Sequence, residues 1–368
     1  MTLRFASGIA LSAFLAFSTP GRAEITIAVA GPMTGDYAPF GLQMKAGAEQ
    51  AIADINASGG VNGEQVKLVI EDDACNPSQA RSVAERLASR KVALVAGHFC
   101  SGSSIPASEV YFDEGILQIS PASTNPDFTE KRRGPGIYRV CGRDDAQGTV
   151  AGKYMAENYK GKNVAILNDK SAYGKGLADE TAKAMNAAGL KEVINESYTA
   201  GQGAADYLAL VSKLKLANID AVYIGGYHKE AGLILRQMRD QGLQAQMISG
   251  DALNSKQFWE ITGDAGEGMM FTFSPDPRKL PTAADIVKKF EAKKIDPEGY
   301  TLYTYAAVQV WKAAVTEAKS TDTKKIIPIL DKNNFDTVLG SIKFDGKGDV
   351  TDAAYVFYKW KNGDYSQM

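Results

Sequence analysis

The chain is poor in the residues that build metal clusters and histidine-centred catalytic sites: 368 residues include only 2 His and 3 Cys. A zinc cluster or a His-based nucleophile relay has little material to draw on. An excess of charge of one sign is also missing. The 41 Lys+Arg stand against 43 Asp+Glu, a net charge of −2, which excludes a polybasic nucleic-acid binder. With 45% hydrophobic and 23% charged residues, disorder and collagen-like repeats are excluded too. There is no Gly-x-x-x-x-Gly-Lys-Ser/Thr loop to cradle phosphate. No Gly-x-Gly-x-x-Gly follows a strand; Gly174-Lys-Gly176 comes nearest and lacks the third glycine. A Gly-x-Ser-x-Gly elbow after a strand is absent as well. No nucleophile, base and orienter can be named together. The case for an enzyme is therefore weak, and no cofactor, metal or nucleic-acid partner is expected.

Long apolar runs are absent after the N-terminus. Arg4 precedes the mostly apolar run Ile9–Phe17, and Pro20, Gly21 and Ala23 offer a small-residue exit. This is the layout of a secretory signal over residues 1–23, cleaved after Ala23. The run is too short for a bilayer core, which needs about 20 residues; a short N-terminal anchor is the alternative. No Cys follows it, which argues against a lipid anchor. Without Arg4 and Arg22 the mature chain carries 39 basic and 43 acidic residues, or −4. The length is too great for one core and suits two domains.

From Glu24 onward, short apolar strands alternate with helical patterns. Ile25–Ala30, Val66–Ile70, Val92–Ala96 and Ile116–Ile119 read as strands, with helices over Phe40–Ala57, Pro77–Arg90 and Ser103–Glu114 between them. A second series follows. Helices Gln147–Tyr159, Tyr173–Ala188, Ala205–Leu216 and Glu230–Gln241 separate strands Asn163–Leu167, Glu192–Glu196, Ala221–Gly225 and Gln246–Ser249. Continuous apolar strands between helices mark parallel sheets covered on both faces, two doubly wound α/β layers in series. The tail after about residue 275 differs. It holds helices Ala283–Lys293 and Thr304–Ala318 and shorter strands near Val338, Ile342–Phe344 and Ala354–Trp360. It is placed to return to the first domain before ending in the second, a crossing that pattern alone does not establish.

An exported chain reads its cysteines differently. Cys75 and Cys100 both follow strands and are candidates for a disulfide in an oxidising compartment, with two buried free thiols as the alternative. Cys141 reads as a small buried side chain. His98 and His228 sit at strand ends and read as hydrogen-bonding packers; His98 has Cys100 nearby but no third ligand. Glu71-Asp72-Asp73 reads as turn capping or a solvated face, with a cation seat as the alternative.

Open α/β sheets bind ligands beyond the carboxyl ends of their strands. After the third strand comes Gly97-His-Phe99-Cys-Ser101, and after the fourth Ser120-Pro-Ala122-Ser123-Thr124. Hydroxyls and free N–H groups at a helix start can seat a carboxylate without Arg, or can simply cap the helix. In the second half, Gly225-Gly-Tyr227-His and Ser249-Gly-Asp251 close strands, and Asn168-Asp-Lys-Ser-Ala-Tyr173-Gly opens a helix. Asp251 is a partner for a positive ligand group or a solvated loop acid. Tyr173 and Tyr227 are flat ligand walls or ordinary packing.

The chain resembles the leucine/isoleucine/valine-binding proteins, periplasmic receptors of branched-chain amino acid ABC transporters. The marks are Gly31-Pro-Met-Thr-Gly-Asp, Gly47-Ala-Glu-Gln-Ala-Ile-Ala-Asp-Ile-Asn, Asp72-Asp-Ala-Cys75, Gly97-His-Phe-Cys100-Ser101 and Asp113-Glu-Gly-Ile. Pro121-Ala-Ser-Thr124, Asp169-Lys-x-x-Tyr173-Gly, Gly225-Gly-Tyr-His228 and Thr304-Tyr-Ala-Ala complete them. The resemblance covers nearly all of the mature chain. It implies a type I periplasmic binding fold: two doubly wound parallel-sheet domains joined by a three-strand hinge. One lobe would comprise residues 24–142 plus 275–351 and the other 143–274 plus 352–368. It implies that Ser101 and Thr124, with Ser123 beside them, hold an α-carboxylate. The Ala122 carbonyl, the Thr124 hydroxyl and Asp251 would hold the ammonium, with Tyr173 and Tyr227 closing from the other lobe. The Cys75–Cys100 disulfide carries over, as does a periplasmic monomer that serves a membrane permease. Asp251 stands where relatives have Glu, Phe40 where they have Tyr, Phe99 where they have a smaller residue, and Tyr300 where they have Phe. Those bulkier walls favour Ala, Val, Thr, Pro or γ-aminobutyrate over Leu. An amide or another small carboxylate, or a chemosensory role, is the alternative within the same fold.

Overall fold

The computed structural model describes residues 24–201, 203 and 207–368. The expected signal segment 1–23 and the expected start of a helix at Ala205 lie outside the described residues. Five strands form the first sheet: β1 (Glu24–Gly31), β2 (Gln65–Asp72), β3 (Leu94–Gly97), β4 (Leu117–Ser120) and β5 (Ile137–Arg139). Their order is β2-β1-β3-β4-β5 and every pairing is parallel. The connections are α1 (Ala38–Ala57), α2 (Pro77–Ser89), α3 (Ser101–Asp113) and the single turn α4 (Asp127–Glu130).

The chain then crosses to a second sheet. It passes through α5 (Asp144–Asn158), β6 (Val164–Asn168), α6 (Ala172–Ala187), β7 (Ile194–Ser197), α7 (Leu208–Leu216), β8 (Ala221–Gly225), α8 (His228–Asp240), β9 (Gln246–Ser249), α9 (Lys256–Thr262) and β10 (Met270–Phe273). It returns with α10 (Ala284–Ala292), α11 (Thr301–Ala318) and α12 (Thr323–Lys332), followed by the hairpin β11 (Asn334–Thr337) and β12 (Gly340–Lys343). Helix α11 packs on α1 of the first lobe. The chain ends back in the second sheet with β13 (Val356–Lys361) and β14 (Asp364–Gln367), in the order β14-β13-β10-β9-β8-β6-β7. Three stretches therefore join the lobes: after β5, after β10 and before β13.

The expected parallel pattern holds for β6 to β10, but β13 and β14 pair antiparallel. For the β13–β14 pair the physical reason is connection length. A parallel pair needs a crossover of a dozen or more residues, whereas Asn362 and Gly363 suffice for a hairpin between β13 and β14. Both faces of the parallel strands are covered, and β6 and β8 are buried along their whole length. This explains their unbroken apolar sequences.

Glycines set how closely helix and sheet approach near the cleft. A Cβ on Gly225 would collide with the Gly174 carbonyl oxygen, and one on Gly174 would collide with the Asp169 carboxylate. Tyr227 and Tyr173 stand next to these two contacts, so the tight approach sets their position. No helix among the described residues is long and apolar enough to cross a membrane.

Candidate functional site

Several strands of the two sheets end at the facing edges of the lobes, and helix starts surround the gap between them. A disulfide joins Cys75, in the turn after β2, to Cys100, the residue before α3, with Cα atoms 5.5 Å apart. It ties the β2 turn to the loop that carries Phe99 and Ser101. A buried relay braces the same loop. Asp73 accepts from the Cys75 N–H at 2.8 Å, and its other oxygen lies 2.5 Å from His98 Nδ1. His98 Nε2 meets the Tyr111 hydroxyl at 2.9 Å. The His98 carbonyl collects the hydroxyls of Ser104, Ser120 and Ser123. Asp72 accepts from Met33 N–H, Ala74 N–H and the Thr34 hydroxyl. The acidic run thus caps turns and orients a histidine. Among the described residues no group of His, Cys, Asp and Glu is arranged to hold a metal.

A narrow cavity of about 10 Å3, room for about one water, lies between the lobes, lined by Phe99, Ser101, Ala122, Tyr173, Tyr227, Asp251 and Ala252. The lobes are closed over it. The Lys229 ammonium reaches Asp36 across the rim at 2.6 Å, and the Tyr37 hydroxyl donates to Glu230 at 3.3 Å. Asn125 Nδ2 donates to the Ala172 carbonyl at 2.6 Å. The Tyr37 and Tyr227 rings meet at 4.6 Å.

On the first lobe, Ser101 begins α3, and its hydroxyl accepts from the Asn125 N–H at 3.2 Å. Thr124 is fully buried, and its hydroxyl has no partner among the described residues. Ala122 lines the cavity, with its N–H turned to the Ser120 hydroxyl at 3.3 Å. The Ser123 hydroxyl is engaged inside the lobe with Ser104 at 2.6 Å and the Phe99 carbonyl at 3.0 Å. The structure thus puts Ser123 in the scaffold behind the cavity wall. Phe40 is also behind the wall, stacked on Phe99 at 4.4 Å and 9°. Tyr300 packs edge-on against Phe99 at 5.4 Å.

On the second lobe, Asp251 follows β9 and is 2% exposed. It accepts from the Tyr173 hydroxyl at 2.9 Å and from the Tyr300 hydroxyl, which reaches across from the first lobe. Burial raises its pKa, and those two hydroxyls together with Gln147 pull it back in part. Tyr173 and Tyr227 rings meet at 5.1 Å. Their hydroxyls are held well above the ordinary phenol range, first by burial and then by neighbouring carboxylates.

Asp144 belongs to this group and was not among the residues that sequence reasoning selected. It opens α5 at the first crossing between lobes. It is fully buried, and neither carboxylate oxygen has a hydrogen-bond partner among the described residues. Burial, followed by the Asp251 charge, holds its pKa well above the carboxylate range. The sequence carried one usable signal, an Asp-Asp pair opening a helix directly after a strand. That signal is also ordinary for a helix N-terminus.

His228 is the first residue of α8 and packs edge-on against Phe40 at 5.0 Å. Burial lowers its pKa to about 4. Cys141 is a buried free thiol whose pKa burial pushes up.

Comparison with known proteins bears on this arrangement. The family model described as periplasmic binding protein matches residues 24–364. A Leu/Ile/Val-binding protein homolog 2 of Brucella abortus is 48% identical over 358 residues, covering 97% of this chain and 96% of that protein. An amino acid binding protein of Pseudomonas aeruginosa is 46% identical, covering 98% and 96%. Among solved structures, the leucine binding protein LivK of Thermotoga maritima superposes with a TM-score of 0.85 at 29% identity, covering 94% and 97%. LivJ of Streptococcus pneumoniae, in complex with isoleucine, has a TM-score of 0.83 at 25% identity, covering 94% and 100%. The chain belongs to the periplasmic binding protein family.

Proposed function

We propose that the protein is a periplasmic receptor that captures an amino acid by closure of its two lobes and hands it to the permease of an ABC transporter. The observation that carries this reading is the polarity of the closed cavity. Ser101 at the start of α3 lines it from one lobe, with the buried Thr124 hydroxyl unpartnered two residues beyond the lining Ala122, and Asp251, Tyr173 and Tyr227 line it from the other. Such a cavity is complementary to a zwitterion. The ligand carboxylate meets Ser101, Thr124 and N–H groups at the start of α3, where the helix dipole favours an anion. The ammonium meets Asp251, the Ala122 carbonyl and the Thr124 hydroxyl.

Closure follows from differential affinity. The ligand contacts both lobes only when they are together, so it binds the closed form better and shifts the population toward it. Each charge-assisted hydrogen bond contributes roughly 1.5–3 kcal/mol. Release at the permease requires the lobes to be drawn apart again.

With the lobes this tightly closed the gap is about 10 Å3, room for about one water, so an amino acid must hold the lobes slightly further apart and the walls, not the volume, bear on its size. Phe99, backed by the Phe40 ring and the Tyr300 edge, takes up space a longer side chain such as that of Leu would need. We read the preference as Ala, Val, Thr, Pro or γ-aminobutyrate over Leu. A family of exported receptors with a signal-like segment at residues 1–23 supports a periplasmic location, and a monomer fits a two-lobe clamp. The test is a thermal-shift and calorimetric screen over the amino acids and γ-aminobutyrate. Stabilisation should follow RT ln(1 + [L]/Kd). A flat response to every amino acid defeats the reading, and Leu binding far tighter than Ala and Val defeats the size preference.

A further inference from the structure

Asp251 lines the cavity, and a second buried carboxylate, Asp144, stands behind its wall and feels the Asp251 charge. Asp251 is served by the Tyr173 and Tyr300 hydroxyls, whereas Asp144 is buried to the same degree and neither of its oxygens has a partner. None of the residues lining the cavity is basic. The nearest guanidinium is spent elsewhere. Arg139 donates to Asp349 at 2.6 Å, to the Ser123 and Asn125 carbonyls at 2.5 and 3.0 Å, and to the Thr129 hydroxyl at 2.7 Å. A buried charge without a partner discharges by binding a proton rather than paying its desolvation cost. Two like charges sharing a site do not both ionise.

Resting on the amino-acid reading above, we infer that Asp144 is the proton-carrying member of this pair: in the closed, loaded cleft it is a neutral acid, and Asp251 alone supplies the charge that meets the ligand ammonium. The charge count then balances. A zwitterion brings one ammonium and one carboxylate, and the ammonium is matched by one carboxylate of the protein. As a neutral acid Asp144 is also a donor. The buried Thr124 hydroxyl beside it favours the charged form, but less than burial and the Asp251 charge disfavour it.

Every charged or titratable group facing Asp144 is acidic, phenolic, a buried thiol or already paired. Across the sheet ends stand Asp251, Tyr173, Tyr223, Tyr227 and Tyr355. Its own segment contributes Cys141 and Asp145, the latter paired to Arg143 at 2.8 Å. Arg139 lowers the Asp144 pKa less than burial and Asp251 raise it.

The experiment compares Asp144→Asn, which mimics the neutral acid, with Asp251→Asn. Calorimetric titration uses L-alanine and γ-aminobutyrate, and folding is checked by circular dichroism. Asp144→Asn is expected to keep affinity within about fivefold, while Asp251→Asn loses about a hundredfold or more. In parallel, carboxyl 13C NMR of aspartate-labelled wild-type protein saturated with L-alanine should show one aspartate still protonated well above the ordinary carboxylate range. That signal should vanish in Asp144→Asn. An Asp144→Asn loss as large as that of Asp251→Asn, or no protonated aspartate in the loaded wild type, overturns the inference. The wild-type NMR measurement decides even if a variant does not fold. Wild type that binds neither probe nor any other amino acid would instead count against the receptor reading itself.

Discussion

Replacing Asp251 by Ala tests the ammonium seat directly. The carboxylate is 2% exposed and takes hydroxyls from both lobes, Tyr173 from its own and Tyr300 from the other. A bound ammonium in the same place would be sealed from water, so removing its counter-charge leaves a buried ion unpaired. Breaking a buried pair from one side costs about 3–5 kcal/mol. At about 1.4 kcal/mol per decade, Kd should rise by two to nearly four orders of magnitude. The ligand-free protein should respond in the opposite sense. Burial raises the Asp251 pKa, which means that the charged form is disfavoured in the folded state. Taking the charge away removes that penalty. Thermal stability of the empty variant should therefore equal or exceed wild type, the stability–function trade-off expected at a binding site. Calorimetric titration with L-alanine, alongside circular dichroism melts, measures both. Near-normal affinity with an intact fold would refute the assignment of Asp251, and a large loss of empty-state stability would refute the electrostatic argument.

Four further outcomes are expected. Tyr300→Phe removes one donor to a charged carboxylate and should weaken binding by about 1.5–3 kcal/mol, read by calorimetry; an unchanged Kd would show that the cross-lobe hydroxyl contributes nothing. Phe99→Ala enlarges the cavity wall and should move the Leu-to-Ala affinity ratio toward Leu by about 1–3 kcal/mol, which a competition assay measures. Replacing both Cys75 and Cys100 by Ser opens a loop of sequence separation 25, and chain entropy predicts a stability loss of about 3.5 kcal/mol, seen as a lower denaturant midpoint. His228 has its folded-state pKa lowered to about 4 by burial, while the unfolded value is about 6.5. The unfolded chain therefore binds the extra proton first, and stability is lost as pH falls from about 6.5 toward 4; melting curves of His228→Gln should be flatter over that window.

Much of the fold was legible in the chain because parallel strands buried on both faces have no polar positions. Val164–Asn168 and Ala221–Gly225 are buried throughout, and their uninterrupted apolar sequences follow from that. Helix starts were read less well, and those around the cleft were read late. The expected starts at Ser103, Gln147 and Glu230 lie two to three residues inside the observed ones at Ser101, Asp144 and His228. The first turn of a helix exposes N–H groups and carries polar or small residues, so the apolar period that signals a helix begins only after it. That lag falls on the residues that line or adjoin the cleft. Ser101 and Tyr227 were selected for their chemistry, but Asp144, outside the expected helix, was not selected. The hairpin strand β14 was missed as well, because Asp364–Gln367 has only one buried residue, Tyr365.

The sequence by itself determined the alternation of strand and helix and the polar loops at the strand ends. Each of these is written in residues adjacent along the chain. What only the tertiary structure decided is the state of the acids. Asp72, Asp73, Asp144 and Asp251 look alike in the chain. Yet Asp72 caps a turn, Asp73 orients His98, Asp251 is bridged by tyrosines from two lobes, and Asp144 stands buried without a donor. The reason is that desolvation and pairing depend on groups brought together from far apart, here Tyr300 of one lobe and Asp251 of the other. No local pattern encodes the distance at which two closed lobes meet.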